Sequence, residues 1–333
     1  MTSAASRIDW ALFLLLGLFW GSSYLFIKVG VDAGLEPFTL VTLRVAIGFA
    51  LLATIAAASH VRLPREPRTW AHLAVIGMLS VALPFVCITW AEQRVDSTLA
   101  AVLNGAIPLV VIVLAAVVLP DERLTGPRVA GLLVGFLGLV VLVGFDPSTL
   151  ATSGGLPVVA LLGSTVSYAA GGVWARRFLG GVQPLVLAIG EVGFALLYVA
   201  PLALLSEGAG GLPRTLDGWF AVLWLGCLGV RLRVPHLLRA RDDWDATRTS
   251  MVAYLIPVFG LALRAIVLEE RGRQRGCCSA PVLIVGGIAL VSLRRPQGLD
   301  PAASAVASTR PRRPRQAGLP RVGATRSERV RCR

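Results

Sequence analysis

Charge is scarce in this sequence. Only 15% of its 333 residues are charged, against about 25% in an average soluble domain. That shortage argues against a water-facing surface, because a surface helix of a soluble protein keeps a polar face. Lysine occurs once, at Lys28, and every other basic residue is arginine. Together with abundant alanine, glycine, valine and leucine, this suggests a GC-rich bacterial genome. The five cysteines, Cys87, Cys227, Cys277, Cys278 and Cys332, form no CxxC and stand at no metal spacing from a histidine. Neither a disulfide framework nor a zinc site is expected. The three histidines, His60, His72 and His236, are not grouped. H-E-x-x-H, P-loop and G-x-S-x-G motifs are lacking, so no enzyme, metal or cofactor is expected. The first apolar run continues into "WGSSYLFIKVG" rather than an A-x-A cleavage site, so no cleavable signal peptide is expected.

The formal charge of +13 suggests a nucleic-acid partner until it is located. Residues 294–333 hold eleven arginines against two acids, Asp300 and Glu328. The basicity is mostly a tail of Arg, Pro, Ala and Ser, which reads as a disordered, solvated segment. Contact with anionic headgroups is a second reading. No nucleic acid is expected as a partner.

Long apolar runs are what the chain does have; 55% of its residues are hydrophobic. A helix crosses the hydrocarbon core in about 20 residues. Candidate spans lie at 10–30, 37–58, 70–91, 97–119, 127–145, 155–175, 184–205, 219–239, 247–268 and 277–293. The eighth and tenth are degraded, with clean apolar portions only at 219–230 and 280–293. The expected architecture is an all-α polytopic membrane protein with ten helices. With the N-terminus in the cytoplasm, Asp32 and Glu36 fall outside and Arg62, Arg65 and Arg68 inside, as the positive-inside rule requires. The loop at 146–154 falls outside with Asp146, and "ARR" at 175–177 inside. After an even number of crossings the C-terminal tail also lies inside. The loop at 269–276 is the misfit: it falls outside, yet holds Arg271, Arg273 and Arg275.

The sequence also repeats itself. In "STLAAVLNGAIPLVVIVLAAVVLPDERLTGPRVAGLLVGFLGLVVL" (97–142), Pro108, "DER" at 121–123 and Gly138 recur in order. Their counterparts in 247–293 are Pro257, "EER" at 269–271 and Gly287. Both segments read as a helix with mid-span proline, a charged elbow and a glycine-rich helix. Five spans per half is odd, so the halves face opposite ways across the membrane. Inverted repeats are a recurring plan in secondary transporters, with solute bound near the midplane between them. The expected divisions are a cytoplasmic N-terminus at 1–9, five-helix repeats at 10–145 and 155–293, and the cytoplasmic tail at 294–333.

Certain residues now carry a resemblance. "WGSSYLFIKVG", "LRVAIGFALL" and "ATRTSMVAYLIPVFG" resemble signatures of the drug/metabolite transporter superfamily, in its two-repeat EamA branch. The resemblance covers about residues 10–293. It implies two inverted five-helix repeats and carrier activity towards a small organic metabolite or drug, in the efflux direction. The expected setting is the bacterial inner membrane, with the bilayer and a small solute as partners. Protons are the candidate coupling ion, and the sequence leaves the oligomeric state open. The alternative is a non-transporting membrane protein or the inactive product of a damaged transporter gene.

Intramembrane polar residues are the pathway candidates, because an unpaired charge at the helix centre costs about 2.5–3.5 kcal/mol on insertion scales. Trp20, Tyr24 and Lys28 are spaced by four and share one helix face. Lys28 either lines a solute path with them or snorkels to the interface. Arg44, seven residues into its span, could meet an anionic solute or play a structural pairing role. Glu191 lies well inside span seven and is the candidate proton-coupling carboxylate; a hydrogen-bonded structural acid is the alternative. Asn104 and Pro108 are four apart in span four, and Tyr254 and Pro257 lie in span nine. Mid-span prolines kink helices, so these pairs either flank a cavity or mark packing bends.

"GVRLRVPHLLRARDDW" (229–244) departs from the family pattern, which expects an apolar eighth helix. Arg231 and Arg233 near mid-span would cost about 5–7 kcal/mol on the same scale. One permitted back-translation of 230–240, read one nucleotide later, gives the apolar string Phe-Gly-Cys-Ala-Tyr-Leu-Ile-Tyr-Phe-Ala. The window 272–279, treated alike, gives Val-Gly-Ser-Gly-Val-Val-Val-Ala and removes Arg273 and Arg275. Two reading-frame shifts would thus repair two topological misfits.

Overall fold

Proline opens many of the helices. Its missing N–H is tolerated in a first turn, where backbone donors have no helical acceptor. The computed structural model describes residues 7–119, 125–143, 154–208, 211–231 and Phe259. Among the described residues ten α-helices follow in chain order: α1 Arg7–Asp32, α2 Pro37–Ala58, α3 Pro67–Gly77, α4 Leu83–Glu92, α5 Ser97–Gly105, α6 Ile107–Val118, α7 Gly126–Val143, α8 Gly155–Phe178, α9 Pro184–Ser206 and α10 Leu216–Arg231. Pro37, Pro67 and Pro184 begin α2, α3 and α9. No strand occurs among the described residues.

The apolar runs and the helices coincide closely. Span two is α2 to the residue, and spans five to seven differ from α7, α8 and α9 only at their ends. Five of the helical stretches are long and apolar enough to cross a membrane: Pro37–Ala58, Pro67–Glu92, Leu99–Val118, Gly155–Phe178 and Pro184–Ser206. The eighth span is helical as α10 up to Arg231, and the rest of its arginine-bearing window lies outside the described residues. So do the window 272–279 and, apart from Phe259, spans nine and ten, with Tyr254 and Pro257.

Two spans are less regular than their hydropathy suggests. The third contains a π-turn, Met78–Ala82, between α3 and α4. Leu83 N–H reaches back to the Met78 carbonyl, the i→i−5 pattern of a widened turn. Pro84 lies just beyond and denies the Ser80 carbonyl its ordinary helical donor. The fourth span breaks at Ala106, where α5 ends and α6 begins with Pro108 in its first turn.

The helices are arranged inside out relative to a soluble bundle. On α8, Leu156 and Val159 are 73% and 64% exposed, with Leu162 and Val166 continuing the outward stripe. Ser164, Thr165 and Ser167 on the same helix are buried. Apolar side chains facing outward suit lipid, and buried hydroxyls suit a bundle held by hydrogen bonds and close packing. α4 packs against α1, α2, α5 and α8; α2 also meets α9 and α10, and α8 meets α6. Close approach depends on small residues at several crossings, two of which bear on the polar interior. A Cβ on Gly171 of α8 would collide with Ser80 of the π-turn. One on Gly226 of α10 would stand 2.7 Å from Ile47 Cβ and 3.0 Å from the Arg44 carbonyl.

Candidate functional site

The site is built on one face of α4. Phe85, Thr89 and Glu92 are spaced by four and three, so they stack along a single side of the helix. Thr89 and Glu92 are buried. The Arg44 guanidinium of α2, also buried, lies 3.9 Å from the centre of the Phe85 ring, a cation–π contact. Tyr168 of α8 meets the same ring edge-on at 6.4 Å between centroids. Tyr24 of α1 packs on the cluster that contains Ile88 and Ala91 of α4. Its hydroxyl is within electrostatic reach of Tyr168, Glu92 and Arg44. Four helices therefore bring one guanidinium, one carboxyl group, two phenols, a hydroxyl and an aromatic face together inside the bundle. The Thr89 hydroxyl has no hydrogen-bond partner among the described residues. Such a group away from water is costly unless something fills its bonding capacity.

A second buried polar group lies on α5. Asn104 Oδ1 accepts from Ser164 Oγ of α8 at 3.0 Å, and its Nδ2 donates to the Ala100 carbonyl at 3.1 Å. Thr165 Oγ1 donates to the Leu103 carbonyl at 3.1 Å. Pro108 has no N–H to offer the Asn104 carbonyl, so this knot sits where the span breaks. Farther along α8, Ser167 Oγ donates to the Leu79 carbonyl of the π-turn at 2.7 Å.

A third tie joins the start of α2 to the end of α9. Glu36 occupies the N-cap position of α2 without bonding the turn through its side chain. Glu207 supplies that service instead, accepting from Phe38 N–H at 2.9 Å and Thr39 N–H at 2.7 Å. A carboxylate on the first free donors of a helix satisfies them and meets the positive end of its dipole.

The structure gathers Tyr24 and Arg44 of the sequence candidates into the four-helix cluster. Trp20 is half-buried one turn earlier on α1. Lys28 lies apart, bonded to Asp32 at 3.0 Å with both side chains more than a third exposed. Asn104 and Pro108 belong to the α5–α8 knot. Glu191 is buried on α9, and its backbone carbonyl crosses tightly over Gly77 of α3. The candidate spans 70–91 and 97–119 leave Glu92 in the connection between them, whereas it ends α4 and is wholly buried. Sequence reasoning also passed over Phe85, Thr89 and Tyr168. The Phe85–Thr89–Glu92 spacing was the available signal. Among the described residues no group of His, Cys, Asp and Glu could hold a metal ion.

The sequence profile of the EamA-like transporter family matches residues 9–144 and again residues 155–293. The chain belongs to this family. Two relatives show how widely the likeness extends. The inner membrane transporter YedA of Escherichia coli K12, itself named as uncharacterized, is 29% identical over 261 residues, covering 76% of this chain and 80% of its own. A Salmonella typhimurium protein named "Probable amino-acid metabolite efflux pump" is 26% identical over 298 residues, covering 85% and 94%. A protein of known crystal structure superposes with a TM-score of 0.68 at 25% identity, over 88% of this chain and 99% of that one. The EamA protein described here is therefore a multi-pass membrane protein of a transporter family, and small-solute transport is the function its family and relatives support. Its two matched segments meet at the cluster: the first supplies Tyr24, Arg44, Phe85, Thr89 and Glu92, and the second supplies Tyr168.

Proposed function

We propose that this EamA transporter moves a small organic metabolite or drug outward across the bacterial inner membrane by alternating access. In this reading the termini are cytoplasmic, and inverted repeats at 10–145 and 155–293 rock about the seam between them. Protons are the coupling ion, with Glu191 as the acid that carries them. The observation that carries the reading is the cluster of Tyr24, Arg44, Thr89, Glu92 and Tyr168, which spans both matched segments within a shell of outward-facing apolar side chains. Ionisable and polar side chains clustered inside a lipid-facing bundle mark a solute path by default. Trp20 extends the wall of that path along α1. The efflux name of the Salmonella relative supports the direction.

The test is a resistance and uptake panel in cells expressing the chain, with and without a proton gradient. Transport that survives in Glu191→Gln but loses its dependence on the gradient is expected. Unchanged gradient dependence in that variant would remove Glu191 from coupling. A second reading has its own observation, the arginine run after Val230. Resequencing the gene decides whether residues 229–241 and 272–279 are frame errors, and the panel decides whether the chain as written transports.

A further inference from the structure

Arginines from two connections gather at one end of the bundle. The link from α2 to α3 carries Arg62 and Arg65, Arg68 stands in the first turn of α3, and α8 ends with Arg176 and Arg177 in its last turn. Both stretches lie at the ends of apolar spans, Pro37–Ala58 and Pro67–Glu92 for the first, Gly155–Phe178 and Pro184–Ser206 for the second. Aromatic contacts hold them side by side. The His72 ring of α3 stacks on Phe178 of α8, 4.8 Å between centroids and 8° from parallel. Trp174 packs on Phe178 at 4.5 Å, and Arg177 Cζ lies 5.9 Å from the centre of the same ring. Arg68 precedes His72 by four residues, so both belong to one face of α3. Trp70 Nε1 donates to the Pro64 carbonyl at 2.9 Å, and Val61 packs with Trp70 and Trp174 on the cluster of Leu73, Ile76 and Leu179. These ties fold the α2–α3 link onto the helix ends.

Two features suit this rim to a phospholipid. Its charge is of one sign: over residues 59–72 and 174–183, Glu66 is the only acid against five arginines. Arg62, Arg65, Arg68 and Arg177 are exposed, and no ion pair joins them to Glu66 among the described residues. The rim is also apolar in part. Leu63, next to Arg62, is 53% exposed, and Phe178, next to Arg177, is 41% exposed. A soluble anion can use the charge alone. A phospholipid uses both, its phosphate meeting guanidinium donors in paired bonds and its chains covering the leucine and the ring. We propose that this rim binds an anionic phospholipid, with Arg62, Arg65, Arg68 and Arg177 holding the phosphate and Leu63 and Phe178 meeting the start of the chains. The proposal needs only the membrane setting and stands whether or not the chain transports.

The experiment titrates the full-length chain, purified in detergent, with phosphatidylglycerol and with the phosphatidylcholine of the same acyl chains. Bound lipid is counted by native mass spectrometry. The C-terminal tail is a competing source of positive charge, so two fourfold variants are compared. One combines Arg62→Gln, Arg65→Gln, Arg68→Gln and Arg177→Gln in the rim. The other removes the same charge from the tail, through Arg310→Gln, Arg312→Gln, Arg313→Gln and Arg315→Gln. The wild type is expected to bind its first phosphatidylglycerol about tenfold or more tightly than phosphatidylcholine, the scale set by several basic residues at an anionic surface. The rim variant should lose that preference and the tail variant should keep it. No preference in the wild type, a preference kept by the rim variant, or equal loss in both variants overturns the proposal. Glycerol 3-phosphate carries the same headgroup chemistry without chains. Its displacement of phosphatidylglycerol at equal concentration would make the rim a site for soluble anions, and overturns the lipid assignment. Should the rim variant fail to elute as a folded species, hydrogen–deuterium exchange of the wild type decides. Phosphatidylglycerol should slow exchange over 59–68 and 178–183 where phosphatidylcholine does not, and unchanged exchange there overturns the proposal.

Discussion

Two buried polar sites join the same pair of matched segments, and they are made of different chemistry. Asn104 is 1% exposed and Glu92 is 0% exposed. The Asn104 amide is held by neutral hydrogen bonds to Ser164 and to its own helix. Glu92 instead lies, as Arg44 and Tyr168 do, within electrostatic reach of the Tyr24 hydroxyl. Depth alone therefore does not separate a joint from a proposed solute contact. A neutral amide whose bonds run to a neighbouring helix fixes the distance between helices. A carboxylate and a guanidinium around two phenols create a field, which matters to whatever enters.

α8 serves both sites, carrying Ser164 and Tyr168, and Gly171 one turn farther lets it approach the π-turn. Gly171→Leu should break both at once. The side chain would meet Ser80 and the π-turn backbone, and overpacking of this kind costs about 1–3 kcal/mol. The expected outcome is the lowest unfolding midpoint in detergent of any variant considered and no measurable transport. Wild-type transport by this variant would show that α8 need not lie so close.

Glu92→Gln should break only the second site. Transport of the native solute is expected to fall by about tenfold or more, because the isosteric amide removes the charge and keeps the volume. The unfolding midpoint should move far less than in Gly171→Leu. A loss of stability as large as the loss of transport would make Glu92 a second joint, and the contrast would collapse.

Asn104→Leu should break only the first. Interhelical hydrogen bonds in membrane proteins are worth about 0.6 kcal/mol on average and about 1.7 at most, so a loss near the upper value is expected in detergent unfolding. Transport per folded molecule should stay within about twofold, since the spread of indirect effects at a joint is of this small size. Glu207→Ala touches neither site and removes the acceptor at the start of α2. Losing such a cap costs about 1 kcal/mol, read in the same unfolding assay.

Sequence patterns carried the two sites unequally. The spans were legible because lipid demands uninterrupted apolar runs, and α2, α8 and α9 follow those runs nearly to the residue. Arg44 and Tyr24 were legible for the converse reason: a polar group inside such a run stands out. Glu92 was not. The apolar run ends at Ala91, and an acid followed by Gln93 and Arg94 reads as the start of a loop. What buries it is the approach of α1, α2 and α8 to α4, a tertiary fact with no local signature. The π-turn was hidden likewise, since hydropathy does not distinguish a widened turn from a regular one. Its cause, Pro84, was visible only as a residue that a first turn tolerates.

Lys28 gives the smallest effect. The sequence left two readings of this residue open, a wall of the solute path with Trp20 and Tyr24 or an interfacial cation. Its spacing from Asp32 is that of facing side chains on one helix, and the structure places the two 3.0 Å apart. Both side chains are more than a third exposed. An exposed pair of this kind contributes about 0–1 kcal/mol, because screening and the entropy of two long side chains offset the attraction. Lys28→Ala should therefore leave the unfolding midpoint and the transport rate close to wild type. Adding Asp32→Ala to it should change nothing further. A clear loss of transport in Lys28→Ala at unchanged stability would instead extend the path one turn beyond Tyr24.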